Sequence, residues 1–291
     1  MRTVFWLTAI FLYAPILVLI VFSFNDAGRR GGNVVWKGFT TKWYDKAWNN
    51  DQLIEAFVNS LTIAVVSTVF AVILGALTAV VLWRWRFPFK PVYEGVVALP
   101  IVVPEICLGV ALAVFFSSVD PAAGVGWVYH SVAASLGATS SAEALGQTVA
   151  PPPPWPFTLT NIILAHVTFS FPFAAMVIRT RLNNFNREVE EAARDLGATE
   201  WQMFRDILLP WMKPGLVAGA LLAFTLSLDD FVITFFTSGP GTVTFPVKVY
   251  SMVRFSVTPE VNAASTVLVL VTIALTAIAM WFQKFDGDEK R

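Results

Sequence analysis

Apolar residues do not alternate with polar ones along this chain; they gather in six long runs separated by polar stretches. The runs cover about 3–24, 57–83, 92–118, 160–178, 215–236 and 261–282. Each reaches the roughly 20 residues that a helix needs to cross a bilayer core of about 30 Å. A lone helix satisfies its own backbone hydrogen bonds in lipid, and no ten-residue strand-like alternation recurs, so the pattern predicts helices rather than a barrel. The first run is too long for the apolar core of a signal peptide, and Asn25 and Asp26 follow it without a small-residue cleavage site. It is expected to be a first spanning helix and an uncleaved anchor.

The segments between the runs set the orientation. With the N-terminus inside, thirteen of the 20 Lys and Arg residues fall on inside segments and seven on outside ones. That bias favours N-in and C-in, with outer loops at 25–56, 119–159 and 237–260 and an inner loop at 179–213. Trp36, Trp43, Tyr44 and Trp48 suit a structured interfacial segment in the first outer loop. The second carries no Lys or Arg but has four consecutive prolines, Pro151 to Pro154, which favour a stiff polyproline II strut.

The inner loop is too polar to span. Residues 188–196 are good helix formers, and Gly197 suits the left-handed position that ends a helix. A second helix is expected from Thr199, as N-cap, to Leu209, with Pro210 closing it. The prediction is a helix–turn–helix hairpin standing out of the membrane.

Composition narrows the chemistry. Only 14% of residues are charged, against about 25% in a soluble domain. The formal net charge is zero, which offers nucleic acid no field to follow. One cysteine, Cys107, and two histidines exclude a Cys cluster and argue against a His-rich metal site or a nucleophile–base set. No Gly-x-x-x-x-Gly-Lys-Ser/Thr loop occurs, so the chain is not expected to be an enzyme or to bind a cofactor itself. His166 is expected to form an interhelical hydrogen bond.

Carboxylates within spanning segments are costly and mark cavities or partners. Glu105 follows Pro104 midway along the third run, and Asp229 and Asp230 lie deep in the fifth. Neighbouring residues on a helix point about 100° apart, so the aspartates cannot share one face unless the helix breaks there. Two readings stand. Either at least one of the three lines a pathway for a cation, helped by aromatics such as Phe231, or they stabilise breaks near Pro100, Pro104 and Phe231.

The inner hairpin also carries a motif. Glu191-Ala192-Ala193, Gly197, Ile207 and Leu209-Pro210 match, in spacing and in placement between two spans, the EAA loop of permeases of binding-protein-dependent ABC importers. The runs Leu226 to Phe231, Ser238 to Gly241, Tyr250 to Arg254 and Pro259 to Ala263, with Leu12 to Pro15 and Ser23 to Asn25, resemble the second permease subunit of spermidine/putrescine importers. The likeness spans nearly the whole chain except 119–159.

The resemblance implies an all-α, type I importer permease fold with six transmembrane helices in a bacterial inner membrane. It implies an EAA helix that docks on an ATPase, with ATP and magnesium held there. The implied assembly has a second homologous permease, two ATPase subunits and a periplasmic binding protein. Glu191, Ala192, Ala193, Gly197, Ile207, Leu209 and Pro210 become the coupling set. Glu105, Asp229, Asp230, Phe231 and Tyr250 become the pathway set. The expected cargo is a polyamine; the alternatives are iron, sulfate or phosphonate in the same permease class, or a secondary transporter.

Overall fold

The computed structural model describes residues 2–27, 35–118, 158–239, 241–255 and 258–288. The proline strut and most of the loop expected at 119–159 lie outside the described residues, as do Arg29, Arg30 and Pro240. Among the described residues the structure is helical, apart from a single bridge pairing Asn25 with Phe39.

The chain divides into two compact units, one formed by 1–60 with 244–291 and the other by 61–243. The first unit contains α1 (Arg2–Phe22), α2 (Lys42–Trp48), the start of α3 (Asp51–Arg84), α10 (Phe245–Phe255) and α11 (Pro259–Asp288). Asn25 organises the described part of the loop between α1 and α2. Its side chain donates to the Val35 carbonyl and accepts from the Lys37 amide, both at 2.8 Å, while its own carbonyl accepts the Trp43 indole N–H at 2.9 Å. Trp43 is thereby buried, with Lys42 and Lys46 over its ring. Lys46 also pairs with buried Glu260 of α11, which accepts from Asn50 at 3.0 Å on its other oxygen. Leu53, Phe245 and Ala264 form the apolar centre beneath.

The second unit is built on the rest of α3, α4 (Lys90–Val102), α5 (Glu105–Ser118), α6 (Leu159–Asn183), α7 (Glu188–Asp195), α8 (Glu200–Leu228) and α9 (Val232–Thr237). α6 is the most buried of the long helices and carries Asn161, His166 and Ser170 inward. A helix covered by protein can hold polar groups that one facing lipid cannot. Small residues let its neighbours close in. A Cβ on Gly75 of α3 would lie 2.9 Å from the Ala175 amide nitrogen, and one on Gly219 of α8 would lie 3.4 Å from the Ala174 Cα. Gly215 and Gly219 form a Gly-x-x-x-Gly face, the usual device for close helix approach in lipid. Ala79, Ile178, Leu182, Leu208 and Met212 fill the space at one end of these helices.

Three expectations change. The third run is not one straight span: α4 and α5 meet at a 105° bend at Val103–Pro104. Pro100 sits inside α4 without breaking it, whereas Pro104 directly precedes α5, where a missing N–H costs no helical bond. The fifth run ends at Leu228; Asp229 and Asp230 occupy a break before α9. Pro210 does not close a helix. Thr199 does cap one, in a reciprocal box with Gln202. That helix then passes through a π-helical turn, Met203–Leu208, straight into the next span. The wider turn shifts the hydrogen-bond register, and Pro210 lands at the start of the renewed α-helical stretch.

Among the described residues, four helices are long and apolar enough to cross a membrane, and the bent α4–α5 pair makes a fifth candidate. The described apolar part of α11, Pro259–Ala274, is shorter.

Candidate functional site

The break between α8 and α9 is held by a buried polar network. Asp230, one residue before the N-cap Phe231, caps α9 with its side chain: its carboxylate accepts from the amides of Ile233 at 3.3 Å and Thr234 at 2.8 Å, and from the Thr234 hydroxyl at 2.8 Å. These amides are among the four that a helix start leaves without partners, and a carboxylate there is also favoured by the helix dipole. His166 of α6 reaches the same point. Its Nε2 lies 2.9 Å from the Thr234 Oγ1 and 3.5 Å from Asp230, and its Nδ1 lies 2.6 Å from Ser227 of α8. The Thr234 hydroxyl proton goes to Asp230, so the imidazole is the donor to Thr234. Ser227 in turn meets Ser67 of α3 at 3.0 Å. Four helices are thus tied at one point in the unit's interior.

Asp229 has the opposite environment. It is exposed, at the C-cap of α8. It lies within electrostatic reach of both Asp230 and Glu105. Glu105 is exposed on the first turn of α5, beside the 105° bend. Two exposed carboxylates therefore stand at two helix breaks. Gly109 holds α5 onto α9: a Cβ there would lie 2.9 Å from the Phe236 ring. Phe231 is half-buried and packs tilted on Phe235 at 5.5 Å. Tyr250 belongs to the other unit, exposed on α10.

The hairpin is α7, a turn at Gly197 and the start of α8. Gly197 has φ +83°, a conformation that only glycine adopts freely. Glu191 and Ala192 are exposed, and the large side chains of Val189, Leu196 and Trp201 also face outward. Ile207, Leu209 and Pro210 are half-buried on the returning helix.

Residues 71–285 match the family of binding-protein-dependent transport system inner membrane components. The chain belongs to that family. The spermidine/putrescine transport system permease protein PotC of Escherichia coli (strain K12) is 38% identical over 272 residues, covering 93% of this chain and 89% of the relative. The putrescine transport system permease protein PotI of the same organism is 37% identical over 284 residues, covering 97% and 89%. One chain in the crystal structure of a bacterial ABC transporter involved in the import of the acidic polysaccharide alginate superposes with a TM-score of 0.68 at 17% identity, covering 100% of this chain and 94% of that one. That likeness shows the type I permease fold.

Sequence reasoning about this permease missed several residues. Within the hairpin, Glu190 rather than Glu191 is buried, 3.8 Å from Arg84 at the end of α3. Arg84 also pairs with Glu200 at 2.7 Å, and Glu200 with Arg194 at 3.0 Å. Three carboxylates close together, at 188, 190 and 191, gave no sign of which would turn inward. The Asp230–Thr234 spacing could have signalled a capped helix, but only if the break before it had been placed.

Proposed function

We propose that this permease is one half of the membrane pore of an ATP-driven importer that carries putrescine or spermidine inward. The observation that carries the reading is 37–38% identity over more than nine-tenths of the chain to two permeases named for those solutes. Further support comes from the exposed carboxylates Glu105 and Asp229, in apolar runs, 92–118 and 215–236, without a single Lys or Arg. An anion path would call for basic side chains or helix N-termini instead. One or two carboxylates with phenylalanine walls suit a cargo that must bind weakly enough to leave. Asp230, committed to its cap, serves the break rather than the cargo.

In this reading the membrane carries six spans with both termini inside. The pore is shared with a second, homologous permease. Two ATPase subunits, which hold ATP and magnesium, receive the hairpin from Glu191 to Gly197. Its exposed Leu196 and Trp201 beside small Ala192 and Ala193 suit docking in a protein groove, and a periplasmic binding protein delivers the solute from the other side.

The test is uptake of labelled putrescine and spermidine by the reconstituted complex. Asp229→Asn and Glu105→Gln should each lower uptake about tenfold or more at normal expression, the usual scale for a lost charge-assisted contact. A parent complex that carries neither polyamine sinks the substrate. Full uptake in both variants, with the parent active, makes the two carboxylates bystanders.

Orientation has its own check. In a Cys107→Ser background, an impermeant thiol reagent should label Asn49→Cys in intact cells and leave Leu196→Cys untouched until the cells are opened. Both positions are exposed in the chain. The reverse pattern puts the hairpin outside and ends the coupling role.

A further inference from the structure

We propose that Arg84, with the α3 helix it terminates, is the positioning element that carries movement of the hairpin to the carboxylate break inside the membrane. The inference rests on the coupling role given above and adds residues outside the Glu-Ala-Ala motif. One guanidinium holds both legs of the hairpin. Its Nη2 lies 2.7 Å from Glu200 on the returning leg, and its Nη1 lies 3.8 Å from Glu190 on the outgoing leg. Glu190 is buried, and its Oε1 accepts no hydrogen bond elsewhere among the described residues, so Arg84 is its charge partner. The preceding residue adds a second grip. Arg187, just before α7, donates to the Trp83 carbonyl at 2.8 Å and lies over the Trp83 ring at 4.8 Å.

From this seat two rigid connections run inward. Trp83 packs edge-on against Phe185 at 5.7 Å, and Phe185 against Trp211 of α8 at 5.6 Å. Arg181 of α6 closes the row over Trp211 at 4.5 Å. The other connection is α3 itself. From Arg84 to Ser67 it is an unbroken helix of about 25 Å. Along the way Gly75 rides against the Ala174–Ala175 backbone, so α3 has no slack sideways. At its far end Ser67 bonds Ser227, two residues before Asp229, in the network that sets the break. A shift of the hairpin that Arg84 follows therefore arrives where Asp229 is presented. A helix so tightly packed moves as a unit instead of absorbing the displacement.

The experiment uses the full complex in proteoliposomes, with ATP hydrolysis and labelled putrescine uptake read together. Arg84→Ala should leave the ATPase subunit bound and basal hydrolysis unchanged. Uptake per ATP, and stimulation of hydrolysis by the loaded binding protein, should fall about tenfold, a common size for coupling between sites. Arg84→Lys should recover only part, because a compact ammonium lacks the planar fork whose two separate nitrogens reach the two carboxylates. Glu200→Gln is the companion variant; its exposed side chain can be neutralised without disturbing the fold, and it should give a smaller loss in the same ratio. Parental uptake per ATP in both Arg84→Ala and Glu200→Gln overturns the proposal. Loss of the ATPase subunit from the Arg84→Ala complex overturns it too, since Arg84 would then belong to the docking surface. A parent complex that never retains the ATPase removes the coupling role itself, an outcome distinct from both.

Discussion

Asp230→Ala should remove most of the folded permease from the membrane, while the neighbouring Asp229→Ala should fold normally and fail only in uptake. The alanine at 230 strips the cap from α9 and leaves two amides and the Thr234 hydroxyl without their shared acceptor. A single hydrogen bond between membrane helices is worth only about 0.6 kcal/mol on average. Orphaned buried donors, the capped amides among them, decide the outcome at about 1–3 kcal/mol each. The sum should lower the melting temperature in detergent and the yield of monodisperse protein. Asp229 is exposed and caps nothing with its side chain, so its loss carries no such cost. Equal stability of the two variants in a thermal melt would mean that the network is ornamental.

Gly75→Val should be nearly as damaging, through packing alone. The first carbon of any side chain at 75 meets the Ala175 amide nitrogen at 2.9 Å and the Ala174 Cβ at 3.0 Å. The first obstacle is backbone, so no rotamer change relieves it; α3 and α6 must separate. Forced separation of packed helices costs about 1–3 kcal/mol or more. It would also part Ala79 from Ile178, which depend on the same approach of α3 to α6. Gly75→Ala should show a milder form of the same loss. Gly95, whose Cβ would meet nothing within 4 Å, is the control: Gly95→Ala should be silent. The measurement is the melting temperature of the purified permease, and a silent Gly75→Val refutes the close α3–α6 approach.

The sequence made legible what depends on composition and short spacing. Long apolar runs mark the helices, because lipid leaves the backbone no other choice. The left-handed turn at Gly197 and the cap at Thr199 are set by neighbours a few residues away, so local chemistry suffices to find them. Breaks inside the spans were harder. Pro100 and Pro104 look alike in sequence, yet only the second stands at a bend, because the path of α5 is set by its packing on α9. Pro210 read as a stop because nothing in the sequence announces a π-helical turn just before it. The choice between Asp229 and Asp230 was posed correctly as a matter of direction, but which of them turns inward is decided by His166, 64 positions away in the chain. Glu190 turned inward for a similar reason: Arg84, its partner, lies on another helix. Local signals place the elements; side chains from distant helices aim the carboxylates.

The bend at Val103–Pro104 also bears on how the protein is made. α4 has 13 residues and α5 has 14, so each is only about 20 Å long and neither crosses the bilayer core alone. The surface that fixes α5 is on α9, where Phe236 covers Gly109, and it emerges from the ribosome roughly 130 residues later. At ~5–20 residues per second, α5 waits on the order of ten seconds for its partner. During that interval Glu105 has no settled surroundings. The order of synthesis therefore leaves this half-span unable to lock fully until α9 has been made, with an insertion chaperone free to hold it meanwhile.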